Sequence, residues 1–301
     1  MEIRESDALC VDKTMKKLFG DTQYKIVSRL NGMTNRSYRV DQGDGLEYVV
    51  RIPGEGTEEL IDRRDEKKST ILACKLGIDA ELISFDNNGI KVMRFIPHNQ
   101  SMDEATMQKD VNITRAADIL RKLHRCGEST GVRFEVFDMA EDYERLINRH
   151  HVRLYDDYAE VRHVIMEIKH QADAEGETKK VPCHNDVLMG NWVLSRDERL
   201  YLIDWEYAGM NDPMWDLACL SIEAACDDEM DAKLLLDYFG HEVSVYEKKM
   251  FMANKLYVDY LWTLWGKTRV PYDAINMETY AASRYSRLKR NIESFRTMIT
   301  G

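Results

Sequence analysis

The stretch of sequence that decides the fold is residues 181–217, which read VPCHNDVLMGNWVLSRDERLYLIDWEYAGMNDPMWDL. Three short apolar runs within it are typical of β-strands: residues 181–183, 192–194 and 200–203. A polar turn at residues 196–198 joins the last two runs into a hairpin. Because the open end of a hairpin holds both strand ends, the pattern predicts that Asn191 lies near Asp204.

Polar residues at the ends of these runs have the chemistry of phosphoryl transfer from a Mg-nucleotide. His184, Asp186 and Asn191 stand at the spacing of a kinase-type catalytic loop. In such a loop the Asp orients the attacking hydroxyl and accepts its proton, while the Asn and a second Asp hold Mg²⁺ against the phosphates. Asp204 stands where the second Asp is needed. The spacing alone would arise by chance in many chains, so a polar loop that caps two strands is the alternative.

Composition limits the class of protein. The 301 residues are 44% hydrophobic and 32% charged, which is ordinary for a soluble globular protein that can form two domains. The formal net charge of -11 supplies no positive field for a nucleic acid, so we expect no nucleic-acid partner. A small or cationic substrate is favoured.

The sequence also carries information about location. The N-terminal residues lack the apolar core of a secretion signal, and no apolar stretch approaches the length of a membrane span. The six cysteines contain no Cys-x-x-Cys pair, which favours free thiols in a reducing compartment over disulfides or a zinc site. We therefore expect a cytoplasmic protein without a membrane partner.

The first third of the chain predicts a small antiparallel sheet with one main helix. The predicted strands are residues 24–30, 37–40, 47–52, 81–85 and 90–95. Tight turns are expected at Gly43-Asp44-Gly45 and at Asn87-Asn88-Gly89. Residues 58–76 have helical periodicity, and Gly77 supplies a C-cap.

After Pro97 the pattern becomes mostly helical. The predicted helices are residues 103–126, 140–174, 213–226, 243–265 and 274–297. These patterns predict an α+β protein with a nucleotide-binding lobe at residues 1–97 and a catalytic and substrate-binding lobe at residues 98–301. Residues 93–99 would form the hinge, and a nucleotide would bind in the cleft between the lobes.

Two features of the first lobe are candidates for contacts with nucleotide phosphates. The turn Asn31-Gly32-Met33-Thr34-Asn35 lies where kinases carry a phosphate-covering loop, but it lacks the G-x-G-x-x-G pattern, so a plain hairpin turn is equally compatible. Arg51 ends the third predicted strand, where a kinase places its phosphate-contacting Lys. Glu66 on the following helix is a candidate partner, with Asp62 and Asp65 as competitors. A solvated run of charges is the alternative for this helix.

The helix that begins at Pro213 carries two acidic residues on one face. Asp212 is a natural N-cap, and Pro213 fits the first helical position. Asp216 and Glu223 are two helical turns apart, so they share a face, and we expect Asp216 to brace the catalytic loop. Glu223 has no cationic partner nearby in the sequence. A buried Glu needs one, so a ligand could be that partner.

An aromatic cluster lies near the C-terminus: Tyr257, Tyr260, Trp262, Trp265, Tyr272, Tyr280 and Tyr285. Trp262 and Trp265 are neighbours on one helix face. Aromatic residues at helical spacing are usually core residues. The alternative is an aromatic cage, in which ring faces hold a quaternary ammonium by cation–π attraction worth roughly 0.5–2 kcal/mol per contact.

The sequence resembles the choline/ethanolamine kinase family, in particular the bacterial choline kinases that supply phosphorylcholine for cell-surface decoration. The segments that carry the resemblance are residues 31–35, 49–54, 183–191, 203–207, 211–216 and 261–265. The resemblance covers nearly the whole chain from Tyr24 and implies a two-lobed protein-kinase-like fold. The core motif is shared with aminoglycoside phosphotransferases and other small-molecule kinases, whereas Asp204-Trp205-Glu206-Tyr207 and the C-terminal tryptophans are more particular.

The resemblance implies an ATP- and Mg²⁺-dependent reaction and assigns residues to it. Asp186 would be the catalytic base, and Asn191 and Asp204 would hold the metal. Glu206 is assigned both to the metal and to the substrate site. The residues implied for ATP are Asn31, Gly32, Met33, Thr34, Asn35 and Arg51 at the phosphates, Glu66 behind Arg51, and the backbone of Arg94, Phe95 and Ile96 at the adenine.

The resemblance also implies a choline pocket, formed by Glu223, Trp262, Trp265 and Tyr280. His184 and His124 would be structural residues rather than proton carriers. The expected reaction is transfer of the γ-phosphoryl group of ATP to the hydroxyl of choline.

Other substrates stay open. Ethanolamine or an aminoglycoside would require more hydrogen-bond acceptors than a quaternary ammonium, and thiamine is also a cation with a hydroxyl. A different class of function is a pseudokinase that binds a small cation without chemistry. The presence of Asp186, Asn191 and Asp204 weighs against this class.

Overall fold

The computed structural model describes residues 3–43, 45–97, 100–176 and 178–300, with the backbone alone at 100–101 and 297–300. These residues fall into two compact units. Unit 1 comprises Met1–Met102 and Gly190–Tyr207, and unit 2 comprises Asp103–Met189 and Ala208–Gly301. Unit 1 thus extends past the predicted boundary at residue 97 and also takes in the predicted hairpin. Asp44 of the first predicted turn, and His98 and Asn99 of the predicted hinge, lie outside the described residues.

Unit 1 is built on a five-stranded antiparallel sheet with the strand order β1-β2-β3-β5-β4. Its strands are β1 (Lys25–Leu30), β2 (Arg36–Asp41), β3 (Glu47–Ile52), β4 (Leu82–Phe85) and β5 (Lys91–Arg94). The predicted strands are confirmed, and β3 has the predicted bounds. Alternation of buried Tyr48 and Val50 along β3 directs one face of the sheet into an apolar core.

An N-terminal helix that was not predicted covers this core. Helix α1 (Glu5–Phe19) buries Val11 and Met15, four residues apart and therefore on one face. Asp7 fixes the helix to β2, since its carboxylate accepts hydrogen bonds from Tyr38 Oη at 2.6 Å and Arg36 Nε at 2.9 Å. The prediction of a single main helix in this part of the chain was therefore wrong.

The second helix of unit 1 begins later than predicted. Residues Thr57–Glu59 form a short 3₁₀ helix, and α2 spans Arg63–Lys75. Asp62 is the N-cap of α2, and its carboxylate accepts from the Arg64 amide at 2.8 Å. The Asp62 carboxylate therefore serves as the cap of α2.

The predicted hairpin is confirmed within unit 1. Strands β8 (Trp192–Leu194) and β9 (Leu200–Leu202) pair antiparallel, and β6 (Gln100–Ser101) adds to the other edge of β8. The Ile203 amide donates to the Asn191 carbonyl at 2.9 Å. The open end of the hairpin therefore brings Asn191 beside Asp204.

Unit 2 is mostly helical, with one small two-stranded sheet of β7 (Val181–Cys183) and β10 (Gly209–Asn211). Its helices are α3 (Glu104–Met107), α4 (Asp110–His124), α5 (Val136–Arg149), α6 (Tyr158–Glu175), α7 (Pro213–Glu223), α8 (Asp228–Phe239), α9 (Val245–Arg269) and α10 (Ala274–Thr300). The two predicted helices at residues 103–126 and 140–174 are each divided in two. The second break includes His151, whose backbone adopts the left-handed conformation with φ 55°.

Helix α9 is the centre of unit 2. Helices α5, α6, α7 and α10 pack around it, and nearly every residue from Leu256 to Arg269 is buried. Burial on every face is typical of a helix in such a central position. Helix α8, which was not predicted, begins at its N-cap Asp227, whose carboxylate accepts from the Met230 amide at 2.9 Å.

In the part of the chain that the structure describes, no helix combines the length and the apolar character needed to cross a bilayer.

Substitution of Gly54 by Ala is expected to destabilise unit 1. A Cβ at this position would lie 2.2 Å from the Thr34 carbonyl oxygen, so backbone must shift. We expect the free energy of unfolding to fall by about 1–3 kcal/mol in denaturant titration, as for other overpacked sites. Gly190→Ala is the control, because a Cβ there meets nothing within 4 Å. Equal stabilities of the two variants would contradict the close approach at Gly54.

Candidate active site

The centre of unit 1 is a buried arginine that binds three carboxylates. Arg51, near the end of β3, is 4% exposed. Its guanidinium lies 2.7 Å from Glu66 Oε1, 3.0 Å from Asp204 Oδ1 and 3.6 Å from Glu206 Oε2. Its Nη2 also donates to the Gly89 carbonyl at 3.2 Å. The predicted Arg51–Glu66 pair is present, and Arg51 joins α2 to the residues that follow the hairpin.

Two further cations, which were not predicted, complete this cluster. Arg63 Nη1 lies 2.7 Å from Glu66 Oε2 and 3.2 Å from Glu206 Oε2, and Lys91 Nζ lies 3.3 Å from Glu66 Oε1. Arg51, Arg63 and Lys91 therefore balance the three carboxylates of Glu66, Asp204 and Glu206. Buried charges are tolerated only when paired in this way, so we name these six residues the unit 1 charge cluster.

The charge cluster shifts the pKa of two of its carboxyl groups in opposite directions. Burial alone would raise the pKa of Glu66, but the charges of Arg51, Lys91 and Arg63 outweigh it and lower the pKa to about 2. Burial and the neighbouring Asp204 charge raise the pKa of Glu206, although Arg51 opposes them. Ionisation of Glu206 is therefore less favourable than ionisation of Glu66. A cation near Asp204 and Glu206 would favour the ionised form of Glu206.

The oxygen ligands near Asp204 fit a magnesium ion. Asp204 has a side chain that is 30% exposed, unlike the buried Glu66 and Glu206, and it adopts the left-handed conformation with φ 67°. Strained backbone at a non-glycine residue is concentrated at functional sites. Asn191 is adjacent through the Ile203–Asn191 backbone hydrogen bond. Carboxylate and amide oxygens are the ligands that Mg²⁺ prefers, so Asn191, Asp204 and Glu206 are chemically suited to hold it.

The predicted phosphate loop is held in place by Asn35. The Asn35 side chain is buried, donates to Glu206 Oε2 at 2.9 Å and accepts from the Gly54 amide at 3.2 Å. Asn35 therefore links the loop to the charge cluster through both ends of its side-chain amide. Met33 is 55% exposed, and a Cβ at Gly32 would lie 2.8 Å from the Asn35 carbonyl oxygen. The exposed part of the loop is thus near Met33.

The predicted adenine-binding segment has only part of its backbone available. The Arg94 amide donates to the Glu81 carbonyl at 2.8 Å, and the Phe95 amide donates to the Glu47 carbonyl at 3.0 Å. A purine contact would therefore involve the Ile96 backbone or a carbonyl of the segment. All three predicted residues also line a cavity of about 950 Å³ in unit 1, which no residue of the charge cluster lines.

In unit 2, a buried carboxylate organises the predicted catalytic loop. Asp216 on α7 is fully buried and accepts from two consecutive amides, from His184 at 2.7 Å and from Asn185 at 2.8 Å. Asn185 adopts φ 67°, so the loop turns sharply just before Asp186. The Asp186 amide donates to His184 Nδ1 at 3.2 Å, so the His184 side chain forms a hydrogen bond within the loop. Asp186 is half-buried and so remains accessible.

Residues distant in sequence support this loop from behind. His124 Nε2 lies 3.0 Å from Asp216 Oδ2, and its Nδ1 lies 2.9 Å from the Tyr238 hydroxyl. All three side chains are buried. The structural role expected for His124 is thus visible as a hydrogen-bonded chain from Tyr238 through His124 to Asp216, and Tyr238 was not predicted to take part.

Glu223 has a cationic partner that could not be predicted from the sequence. Its Oε1 lies 2.5 Å from Nη2 of Arg284, a buried residue of α10. The cation that the sequence did not reveal is therefore present in the chain, and the assignment of Glu223 to the substrate site stays a prediction. Arg284 lies 61 residues away, beyond the reach of any local pattern.

The predicted cage aromatics are brought together, but they differ in exposure. Trp262 and Trp265 pack edge to face with ring centroids 6.0 Å apart, and Trp265 packs in the same way on Tyr280 at 5.5 Å. Both tryptophans are at most 5% exposed, whereas Tyr280 is half-buried. A Cβ at Gly266 would lie 2.9 Å from the Tyr280 ring, so this glycine permits the close approach of α10 to α9. Tyr280 is thus the ring best placed to meet a ligand.

The Tyr280 hydroxyl lies in the field of the acidic residues. Burial raises its pKa, and the carboxylates of Glu223 and Asp186 raise it further, while Arg284 opposes them. The same residues act on Cys219 of α7, since burial and the charges of Glu223 and Asp186 raise its pKa. Glu223 and Tyr280 are thus both in contact with Arg284, and the charge of Asp186 acts on the same Tyr280 hydroxyl.

Comparison with known proteins identifies relatives across most of the chain. A family model described as "Phosphotransferase enzyme family" matches residues 25–248. The protein LicA of Haemophilus influenzae is 26% identical over 265 residues, which are 85% of this chain and 77% of that relative.

Solved structures are similar over nearly the full length. The choline kinase LicA from Streptococcus pneumoniae is 28% identical with a TM-score of 0.83, covering 96% of this chain and 100% of that one. A choline/ethanolamine kinase family protein from Mesorhizobium loti is 31% identical with a TM-score of 0.81, covering 96% and 98%. A spectinomycin phosphotransferase, at 12% identity and a TM-score of 0.63, shares the fold. The predicted kinase-like fold is confirmed.

Replacing Glu66 by Gln is expected to change the acid stability of the protein. Since the folded-state pKa of Glu66 lies below its ordinary value of 4.5, its ionised form stabilises the fold above about pH 4.5, and this contribution is lost as the pH falls towards 2. The difference in free energy of unfolding between wild type and Glu66→Gln should therefore shrink by about 3 kcal/mol across this window, measured by urea titration at several pH values.

The exposed Glu58→Gln is the control for this measurement and should leave the pH profile unchanged. A difference between wild type and Glu66→Gln that stays constant from pH 5 to about pH 2.5 would show that the Glu66 carboxylate does not depend on its cationic partners.

Proposed function

The chain belongs to the phosphotransferase enzyme family, and we propose that it transfers the γ-phosphoryl group of ATP to the hydroxyl of choline. That it is an ATP-dependent phosphotransferase with a small-molecule alcohol as acceptor follows from the family and from its choline kinase relatives. The observation that carries the choline assignment is the cluster of Glu223, Arg284 and the half-buried ring of Tyr280, on which the charge of the candidate base Asp186 also acts.

Residues of unit 1 would bind the nucleotide phosphates and the metal. Arg51 is held rigidly by Glu66, so its planar guanidinium is oriented before a phosphate arrives. In this proposal Asn191, Asp204 and Glu206 hold Mg²⁺, which when bound would neutralise charge on the transferred phosphoryl group. A solved LicA structure in complex with AMP, 28% identical to this chain, supports the use of an adenine nucleotide. The Met33 loop and the Ile96 backbone are the proposed contacts to phosphate and purine.

Residues of unit 2 would orient the acceptor. Asp186 would accept the proton of the attacking hydroxyl as its oxygen bonds to the γ-phosphorus, while the bond between that phosphorus and the bridging oxygen breaks and ADP leaves. Its position depends on Asp216, which fixes the two preceding amides. The chemistry requires little beyond placement and charge, and positioned reactants account for a large part of such rate enhancements.

Choline is favoured over other alcohols by the aromatic residues. The ring of Tyr280, supported by Trp265, can present its face to a quaternary ammonium. A bacterial choline kinase and a plant relative named as a probable choline kinase support this assignment, but a Drosophila melanogaster relative named as an ethanolamine kinase, 22% identical, makes ethanolamine the second candidate. A cytoplasmic location is proposed with this function, since all six cysteines are free thiols.

The proposal is tested by ADP release from Mg-ATP with a panel of choline, ethanolamine, thiamine and kanamycin. We expect kcat/KM for choline to exceed that for each other acceptor by at least about tenfold, because choline matches the ring faces without the several acceptors that the ammonium groups of ethanolamine and kanamycin need. Turnover with another panel member alone would keep the kinase activity and overturn the choline assignment. Choline binding without any ADP release would favour the pseudokinase.

Asp186→Asn provides the chemical control for this panel. Removing the proton acceptor should lower kcat at least about 100-fold, the scale of general-base catalysis, while the Kd for ATP changes little. A kcat close to that of the wild type would remove Asp186 from the mechanism.

A further inference from the structure

Helix α10 places a single arginine against the two groups that would recognise the acceptor. Arg284 is 4% exposed and lies 2.5 Å from Glu223 Oε1. Its guanidinium carbon also lies 4.6 Å from the centroid of the Tyr280 ring. One cation of the chain therefore neutralises the candidate recognition carboxylate and covers one face of the candidate recognition ring.

Asp259 is a third group that holds Arg284 in position. Its Nη1 lies 3.4 Å from Oδ1 of Asp259, a fully buried residue of α9. Asp259 is also bound by Arg287, whose Nε and Nη2 lie 2.8 Å and 2.7 Å from the two carboxylate oxygens. Two arginines thus balance the two carboxylates of Glu223 and Asp259, and Asp186 supplies one further negative charge in the neighbourhood.

This arrangement distinguishes primary from quaternary ammonium ions. A primary ammonium has three N–H donors, and each needs an acceptor when water is removed. Asp259 already accepts at both oxygens, and Glu223 accepts at Oε1 from Arg284. A quaternary ammonium has no N–H groups and needs only negative charge and ring faces.

We propose that Arg284 is a specificity-determining residue, which occupies Oε1 of Glu223, leaves a primary ammonium fewer acceptors and so favours a quaternary over a primary ammonium alcohol. This inference rests on the proposed function. Arg284 acts on the substrate through Glu223 and Tyr280, and so it is a positioning residue rather than a catalytic one.

Arg287 supplies a matched control. It lies one helical turn from Arg284, is also an arginine of α10, and also binds Asp259. Among the hydrogen bonds and ion pairs that the structure describes for the two residues, only those of Arg284 include Glu223. Substitution of Arg287 therefore perturbs Asp259 without releasing the recognition carboxylate.

The test compares kcat/KM for choline and for ethanolamine in wild type, Arg284→Met and Arg287→Met. We expect Arg284→Met to lower the choline-to-ethanolamine ratio about tenfold, equivalent to about 1.4 kcal/mol, because the released Glu223 can accept from a primary ammonium. Arg287→Met should leave the ratio within about twofold of wild type. The KM for ATP is measured in parallel and should not change in either variant.

A second variant covers the case in which Arg284→Met does not fold. Arg284→Lys keeps the charge but replaces the planar fork by a point charge, and it should lower the ratio about threefold. A ratio that is unchanged in whichever Arg284 variant folds, or an equal change in Arg287→Met, would overturn the inference while leaving the kinase intact. A wild-type protein that phosphorylates neither alcohol would overturn the proposed function and this inference with it.

Discussion

The candidate site depends on two hydrogen bonds, which the consecutive backbone amides of His184 and Asn185 donate to the buried carboxylate of Asp216. A buried carboxylate is unfavourable unless hydrogen bonds satisfy it, and those from His184, Asn185 and His124 do so. The carboxylate also fixes the backbone just before Asp186, where Asn185 adopts a left-handed conformation. The geometry of the candidate catalytic loop is thus set by the requirement that a buried charge be satisfied.

The same requirement shapes unit 1. Arg51 is buried and can only be retained because Glu66, Asp204 and Glu206 surround it, and Glu66 in turn is satisfied by Arg63 and Lys91. This cluster joins β3, α2 and the segment after β9 into one rigid group. The carboxylate of Asp204 is the more exposed acidic member, so the cluster presents the oxygen proposed to bind Mg²⁺ while its other carboxylates are buried among cations.

The sequence predicted those parts of the protein that depend on local patterns. Strands such as Glu47–Ile52, the hairpin that brings Asn191 to Asp204, and the Asp212 cap of α7 all follow from periodicity and turn chemistry. The helix at residues 140–174 was predicted as continuous because its apolar period persists, although the chain breaks the helix near His151. Helix α1 was missed, although Val11, Met15, Leu18 and Phe19 recur at helical spacing and pack on one core.

Partners that are distant in the sequence could not be predicted. The pairing of Glu223 with Arg284, and of Asp216 with His124 and Tyr238, arises only when separate helices pack together. Local reading therefore left Glu223 without a cation and assigned it to a ligand. Periodicity identifies the buried face of a helix, but it does not identify which element will cover that face.

The most direct test of this account is the single-turnover rate of phosphoryl transfer in Asp216→Asn, with thermal unfolding of the variant measured in parallel. Asparagine keeps the shape but turns one acceptor into a donor that faces an amide or His124. The account predicts a rate at least about 100-fold below wild type with the Kd for Mg-ATP within about threefold, because the loop that carries Asp186 loses its position. A folded variant that transfers phosphate at the wild-type rate would contradict it.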